Sequence, residues 1–224
     1  MKIKISVFFI LMAVTFYSGM LLAGENRVDY LDKVQKEGRF PKGWRAWPLQ
    51  ASDAAKVYHI NIEDGKNYIA AQDDKNLSKQ IFSNFRWDVV KYPYLNWKWR
   101  AKVLPKGANE SDDAKNDSAC GIYVVVGKYK GHALKYAWSS SLPVGEIVTR
   151  RDGNLKIIIA DAGNKNLNKW TYHSINVAEE YTKAFGRALK KDPSGVGILT
   201  DGNATETEAA CDYADFIISD KPMY

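Results

Sequence analysis

The sequence predicts an all-β protein, an antiparallel β-sandwich with one or two short covering helices. Short runs rich in valine, isoleucine, tyrosine and tryptophan recur along the chain, and residues typical of turns separate them. Several runs also alternate polar and apolar residues. Regularly spaced short strands are typical of sandwiches and barrels. In order, the runs are KVYHINIEDG, NYIAAQDD, YLNWKWRAKV, CGIYVVVG, HALKYAWSS, GEIVTR, LKIIIADAG, WTYHSINV, VGILTDG and DYADFIIS.

The first residues have the pattern of a secretory signal peptide. Lys2 and Lys4 precede an uncharged apolar run that ends at Ala23. Basic residues, an apolar run and small residues in this order predict a signal peptide over residues 1–23. A retained anchor is the alternative, because the run approaches the ~18 to 20 residues that span a bilayer. Cleavage would leave no stable membrane span and a periplasmic or secreted protein.

The rest of the chain is expected to form one domain. Residues 24–39 are predicted to be an N-terminal extension, residues 40–219 a single β-sandwich and residues 220–224 a C-terminal tail. The polar stretch Pro105–Asp117 interrupts the strands. Because strand spacing is the same on both of its sides, it is expected to be a surface loop rather than a linker.

Two segments have helical rather than strand-like composition. Tyr30–Lys36 is one of them, and the other is AEEYTKAFGRALKK, which begins at Ala178. The second has acids first, bases last and apolar residues four apart. Gly186 interrupts it, so it is expected to be a short helix that covers a sheet edge.

Charge and cysteine content limit the partners. The formal net charge is +6, with lysines scattered along the chain. A scattered excess predicts a solvated surface and no nucleic-acid partner, and weak attraction to an anionic envelope polymer is the alternative. Cys120 and Cys211 are the only cysteines, and an oxidising destination favours a disulfide between them. Two buried free thiols are the alternative.

The alternation of residues within strands predicts which aromatic rings are buried. Leu95, Trp97 and Trp99 share one face of their strand, and Asn96 and Lys98 share the other. A wholly apolar face is typical of a half-buried strand. The tryptophans of this stretch are therefore expected in the core. A second strand follows the same rule: Leu134, Tyr136 and Trp138 are expected inside, and Lys135 and Ser139 on the opposite face.

The run WTYHSINV differs, since inward Ile175 and Val177 would place Trp170 and Tyr172 outward. Outward rings beside amide and hydroxyl groups are what a carbohydrate site needs. Trp170 and Tyr172 are therefore candidate ligand contacts, together with the loop residues Trp87 and Trp44. The alternative is that the helix after Ala178 covers this face.

The sequence carries no motif of a zinc hydrolase, a serine hydrolase or a P-loop nucleotide site. No catalytic residue is assigned, and no cofactor is expected beyond a structural calcium ion. Its candidate ligands are Asp117, Asp201, Asn203 and Asp212, because a disulfide would bring two acidic loops together. Alternatively, these residues form turns and caps, or a carboxylate pair acts on glycosidic bonds.

Several segments together resemble a known family. The ordered series YPYLNWKWRAKVLPKGA, DDAKNDSACGIYVVV, ALKYAWSSSLPVG, KWTYHSINVAEEYTKAFG, GVGILTDGNAT and YADFIIS resembles the exported bacterial family called domain of unknown function 3047. The resemblance covers about Phe40 to Ser219. It implies a periplasmic or secreted β-sandwich similar to lectin-like and jelly-roll carbohydrate modules. The family pattern is similar to Thr-Asp-x-Asp-x-Thr near the end, and here Asn203 replaces its second acid.

Three functions are compatible with these features. The first is non-catalytic binding of a glycan or envelope polymer. The second is a small glycoside hydrolase or lyase that uses Asp117 or Asp201 with a loop carboxylate. The third is a structural or partner-binding envelope protein. The sequence favours a binding protein over an enzyme.

Overall fold

Two β-sheets face each other, as the sequence predicts. The computed structural model describes residues 26–127 and 131–224. Sheet A contains β1 (Asn26–Arg27), β3 (Tyr58–Glu63), β4 (Lys66–Asp73), β6 (Tyr94–Val103), β11 (Thr171–Asn176) and β13 (Ala209–Ser219). Sheet B contains β2 (Arg45–Ala46), β5 (Ile81–Ser83), β7 (Ser118–Val126), β8 (His132–Ser139), β9 (Ile147–Arg150), β10 (Leu155–Ala162) and β12 (Pro193–Asp201). The predicted all-β sandwich is confirmed.

The strand order explains which segments become neighbours. Sheet A has the order β11-β6-β13-β4-β3, and β1 pairs with β13. Sheet B has the order β2-β5-β12-β7-β8-β10-β9. Among the described strands, β8 and β10 form the one parallel pair. They are parallel because β9 lies at the edge of the sheet and β10 returns between β9 and β8.

The core between the sheets contains the tryptophans of β6. Leu95, Trp97 and Trp99 are fully buried. The Trp97 ring lies 5.2 Å from the Tyr136 ring of β8, which connects the two sheets through aromatic packing. The burial predicted from alternation in β6 is confirmed. In β8, Lys135 and Ser139 are also buried, so the outer face of sheet B is covered as well.

A partly buried carboxylate links the sheets at one edge. Asp161 of β10 accepts hydrogen bonds from Trp99 Nε1 at 2.7 Å, Thr171 Oγ1 at 2.8 Å and His173 Nε2 at 2.8 Å. The imidazole of His173 also stacks on Trp97 at 4.9 Å. These contacts turn alternate residues of β11 inward, as predicted.

The helices are short and lie at the ends of the sandwich. The helices are α1 (Ala51–Val57), a 3-10 turn (Asp113–Lys115) and α2 (Val177–Phe185). Helix α2 ends at Gly186, whose left-handed φ of 68° suits glycine, so a short helix interrupted by this glycine is confirmed. The helix predicted over Tyr30–Lys36 is wrong. That segment consists of turns and bends and continues from β1, which pairs with β13.

A disulfide joins the two sheets through the core. Cys120 of β7 and Cys211 of β13 are bonded, with their Cα atoms 5.4 Å apart, so the predicted pairing is confirmed. Disulfides are typical of proteins in oxidising compartments. Within the described ranges no helix has the length and apolar character to cross a bilayer. The predicted signal peptide over residues 1–23 lies outside the described residues.

Candidate functional site

The loop between β6 and β7 folds over the outer face of sheet B. Its residue Glu110 is fully buried and accepts hydrogen bonds from Ser118 Oγ at 3.0 Å and Ser139 Oγ at 2.6 Å. Arg150 Nη2 donates to the main-chain oxygen of Glu110 at 2.6 Å. The loop is thus a surface loop, as predicted, but one of its acids is buried against sheet B.

Lys135 lies beneath this loop with only 2% of its surface exposed. Its Nζ donates to Ser118 Oγ at 3.1 Å and lies 5.7 Å from the centre of the Tyr123 ring. Gly121 makes room for the lysine, since a Cβ atom there would lie 3.0 Å from Lys135 Cε and 2.9 Å from the Leu199 oxygen. An ammonium group has three donors, so this buried charge retains bonding capacity for a ligand.

Asp201, at the end of β12, brings a buried carboxylate to the same region. It is 7% exposed, and its Oδ1 atom has no hydrogen-bond partner among the described residues. Burial raises the pKa of Asp201 to about 6, the positive charge of Lys135 opposes this rise, and the nearby Asp117 adds to it. The carboxyl group therefore changes charge near neutral pH.

These groups line a cavity of about 270 Å³ on the outer face of sheet B, hereafter the sheet B cavity. Its lining residues are Asp113, Asn116, Tyr123, Lys135, Arg150, Arg151, Leu155, Ile157, Leu199 and Asp201. Apolar side chains from β10 and β12 and the Tyr123 ring accompany charged groups of both signs. Six of the ten lining residues are polar or charged, and Tyr123, Leu155, Ile157 and Leu199 form the apolar part of the wall.

Three buried polar atoms of the sheet B cavity lack hydrogen-bond partners within the described ranges. They are Asn116 Oδ1, Arg150 Nε and Asp201 Oδ1. A buried polar group without a partner destabilises a fold by about 1 to 3 kcal/mol. One donor and two acceptors suit a ligand that both donates and accepts hydrogen bonds, as a hydroxyl group does.

The predicted calcium ligands do not form one site. Asp117 accepts hydrogen bonds from Ala204 N at 3.1 Å, and from Thr205 N and Thr205 Oγ1 at 2.7 Å. Its carboxylate thus holds the loop after β12, which agrees with the alternative of turn formation. Asp212 belongs to sheet A, where it pairs with Arg100 at 2.8 Å.

Within this set Asp201 interacts electrostatically with Asp117 and accepts a hydrogen bond from the main chain of Asn203, whereas the side chain of Asn203 is exposed. No group of three or more acids, histidines or cysteines suited to a metal occurs in the described part of the chain.

Two of the predicted aromatic contacts are buried in the structure. Trp44 and Trp87 are each 4% exposed and belong to the core. Trp44 packs edge-on against Phe216 at 5.5 Å, so it has no free face for a ligand. The exposed ring of this segment is instead that of Trp47.

Trp170 and Tyr172 lie on the outer face of sheet A. Helix α2 does not cover them, because its buried Tyr181 packs at the His132 end of the sandwich. The Arg100 guanidinium lies over the Trp170 ring, 4.5 Å from its centre, so this side chain already covers one face of the indole. Tyr172 is about half exposed and packs against Tyr224 at 5.0 Å. Neither ring lines the sheet B cavity.

The sequence-based interpretation found Asp201 but missed Lys135, Glu110, Asn116 and Arg150. One signal that Lys135 is buried was present in the sequence. The runs CGIYVVVG and LKIIIADAG are apolar without alternation. Continuous apolar strands are typical of sheets covered on both faces. Lys135 faces outward from a strand that pairs with both of these runs. If both faces of the sheet are covered, this lysine is expected to be buried.

Solved structures of similar fold have low sequence identity to the chain. The xyloglucanase domain of NopAA, a type three effector from Sinorhizobium fredii, has a TM-score of 0.44 and 9% identity and covers 90% of this chain and 100% of that chain. Endoglucanase cel12A from Rhodothermus marinus has a TM-score of 0.45 and 10% identity and covers 86% of this chain and 94% of that one. The likeness concerns the β-jelly-roll fold alone.

A comparison with curated proteins gives no match. A family model does match residues 42–217, which include most of both sheets, the disulfide and the sheet B cavity. Its description is "Protein of unknown function (DUF3047)". Since the match covers most of the chain, the protein belongs to this family.

Proposed function

We propose that the protein binds a glycan and holds one of its sugar units in the sheet B cavity. The observation that carries this proposal is that three residues of one cavity, Asn116, Arg150 and Asp201, each have a buried polar side-chain atom without a hydrogen-bond partner among the described residues. Sugar hydroxyls would satisfy both the donor and the acceptors. The apolar side chains among the lining residues offer contacts to the CH groups of the sugar.

The size of the cavity and its depth support a small unit rather than a large ligand. A volume of about 270 Å³ is just below the ~300 to 1,000 Å³ typical of small-molecule sites. Lys135 and Asp201 lie at its buried side, and Arg150 belongs to the edge strand β9. A chain end or a single residue of a polysaccharide fits these dimensions.

Calorimetric titration with a panel of neutral and acidic oligosaccharides tests the proposal. Asp201→Asn and Arg150→Lys change the unpartnered atoms with little change in size. Each is expected to weaken binding of the best ligand about tenfold or more, as when a charged hydrogen bond is lost. Asp212→Asn is the matched control, because this carboxylate is equally buried but lies on the outer face of sheet A.

Two outcomes would contradict the proposal. One is the absence of binding heat with every sugar of the panel. The other is a ligand whose affinity stays the same in both cavity variants and falls in the Asp212→Asn control.

A second candidate function is cleavage of a glycan with Asp201 as the proton donor. A carboxyl group whose pKa is about 6 because of burial suits general acid catalysis near neutral pH. Asp117 is a poor candidate, since three hydrogen bonds hold its carboxylate. Release of reducing ends that is lost in Asp201→Asn, while sugar binding remains, would favour the enzyme over the binding protein.

A further inference from the structure

A second cavity, of about 990 Å³, lies at the end of the sandwich next to α2 and is hereafter called the α2-end cavity. The ends of β7 and β8 at Val126 and His132, the segment after α2 and the segment around Val89 surround it. It is separate from the sheet B cavity and shares no lining residue with it. We propose that the α2-end cavity binds an anionic polysaccharide through carboxylate or sulfate groups.

The charge of this cavity is strongly positive. Arg86, Arg187, Lys190 and Lys191 line it, and none of them forms an ion pair with an acid in the described part of the chain. The one acid of the lining, Asp192, accepts a hydrogen bond from Val89 N at 3.3 Å. Like charges gathered in a concave surface create a potential that attracts anions.

One of these cations, Arg187, is held in place by the uncharged ring of His132. The His132 ring stacks on Phe185 at 4.5 Å with the planes 10° apart, and its Nδ1 atom bonds to the Tyr181 hydroxyl. Burial, and next the charge of Arg187, lower the pKa of His132, so the ring is neutral at pH 7. Its Nε2 atom can then accept from Arg187 Nη2.

This contact fixes the direction of Arg187 without neutralising its charge. A guanidinium group has five N–H donors in a planar fork that matches carboxylate and sulfate oxygens. The donors of Arg187 that His132 does not use are therefore available to an anion in the cavity.

The other walls favour a polysaccharide over nucleic acid. Val90, 89% exposed, and Leu189 give apolar surface that suits the CH groups of sugar rings. Single-stranded nucleic acids need exposed aromatic rings on which bases stack. Among the residues that the structure describes, Tyr181 supplies the one phenylalanine, tyrosine or tryptophan ring of the lining, and it is 5% exposed.

The test measures binding of the full chain to two polyanions and their uncharged counterparts. Polygalacturonate is compared with its methyl-esterified form, and dextran sulfate with dextran. At least one polyanion is expected to bind, its uncharged counterpart is not, and affinity is expected to fall as the salt concentration rises from 50 to 200 mM. The two pairs distinguish carboxylate from sulfate recognition.

Charge reversal locates the site. The double substitution Lys190→Glu with Lys191→Glu is expected to weaken binding by about tenfold or more. The control is Lys165→Glu with Lys169→Glu. Both lysines are exposed and precede β11. Their segment bonds to one end of β6, and the start of α2 bonds to the other end. This control should change affinity less than about twofold, since its charges lie more than a Debye length away at physiological salt.

Three results would overturn the proposal. The first is that neither polyanion binds. The second is that both double variants lose affinity equally, which would indicate a general effect of net charge. The third is tighter binding of a single-stranded DNA oligonucleotide than of either polysaccharide. Binding in the sheet B cavity depends on other residues, so loss through Asp201→Asn and loss through Lys190→Glu with Lys191→Glu separate the two proposals.

Discussion

Asp201 and Asp161 are both largely buried acids, but their surroundings act in opposite directions. For Asp201, burial outweighs the attraction of Lys135 and raises the pKa to about 6. Asp161 is also desolvated, which alone would raise its pKa, but hydrogen bonds from His173 and Trp99 lower it below its ordinary value. The first carboxylate lacks partners for one oxygen, whereas the second has three donors around a single oxygen.

This difference predicts opposite pH effects of two asparagine substitutions. The raised pKa of Asp201 means that its contribution to stability is present below pH ~4 and lost as the pH rises through about 6. Asp201→Asn should therefore stabilise the fold relative to the wild type at pH 7.5, by up to about 3 kcal/mol, and by little at pH 4. Urea denaturation at the two pH values measures this difference.

Asp161→Asn is the comparison for that experiment. The lowered pKa of Asp161 gives stability that is present above its unfolded pKa and lost as the pH falls through the folded value. This variant should be less stable than the wild type at pH 7.5, with a smaller difference at low pH. The same pH dependence in both variants would contradict the assignment of the two environments.

At the scale of elements, the loop between β6 and β7 packs on sheet B beside Lys135. It is polar and rich in turns, yet Glu110 holds it on sheet B through Ser118 and Ser139. Because Ser118 also receives the Lys135 hydrogen bond, the glutamate, two serines and the lysine form one buried polar network.

Glu110→Ala should release this loop. The change removes both acceptors and leaves Ser118 and Ser139 without their carboxylate, so we expect a loss of about 1 to 3 kcal/mol in unfolding free energy. Hydrogen exchange should become faster in residues 105–117 than in the strands. Asp113→Ala is the control on the same loop, because its side chain is 90% exposed and an exposed ion pair stabilises by only ~0 to 1 kcal/mol. Equal exchange in the two variants would show that Glu110 does not hold the loop.

At the scale of the whole molecule, the Cys120–Cys211 bond joins two sheets that otherwise meet through side-chain packing. The bond closes a sequence separation of 91 residues, and both sulfurs are fully buried. A loop of this length is expected to contribute about 4 to 5 kcal/mol in the chain-entropy model.

The double variant Cys120→Ala with Cys211→Ala should accordingly unfold at a lower denaturant concentration. Equilibrium denaturation measures the difference, and the wild type reduced in denaturant gives the matched comparison. If the unfolding free energies of the double variant and of the oxidised wild type agree within about 1 kcal/mol, the expected role of the bond is contradicted.

The sequence by itself predicted the strands of four or more residues and the orientation of their faces, and it favoured the disulfide. Period-two alternation in β6 placed Trp97 and Trp99 inside, because a strand turns successive side chains to opposite faces whatever its neighbours are. Gly186 ended α2 for an equally local reason, since its backbone conformation favours glycine. These properties depend on residues near one another in the chain.

Only the tertiary structure decided what covers the outer faces of the sheets. Lys135 and Glu110 are buried together because β7 and β8 pair and the loop after β6 folds back over them, a contact between residues that are not close in sequence. Trp44 and Trp87 became core residues for the same reason. Alternation gives the side of a strand on which a residue lies, but burial on that side depends on which distant segment packs against it.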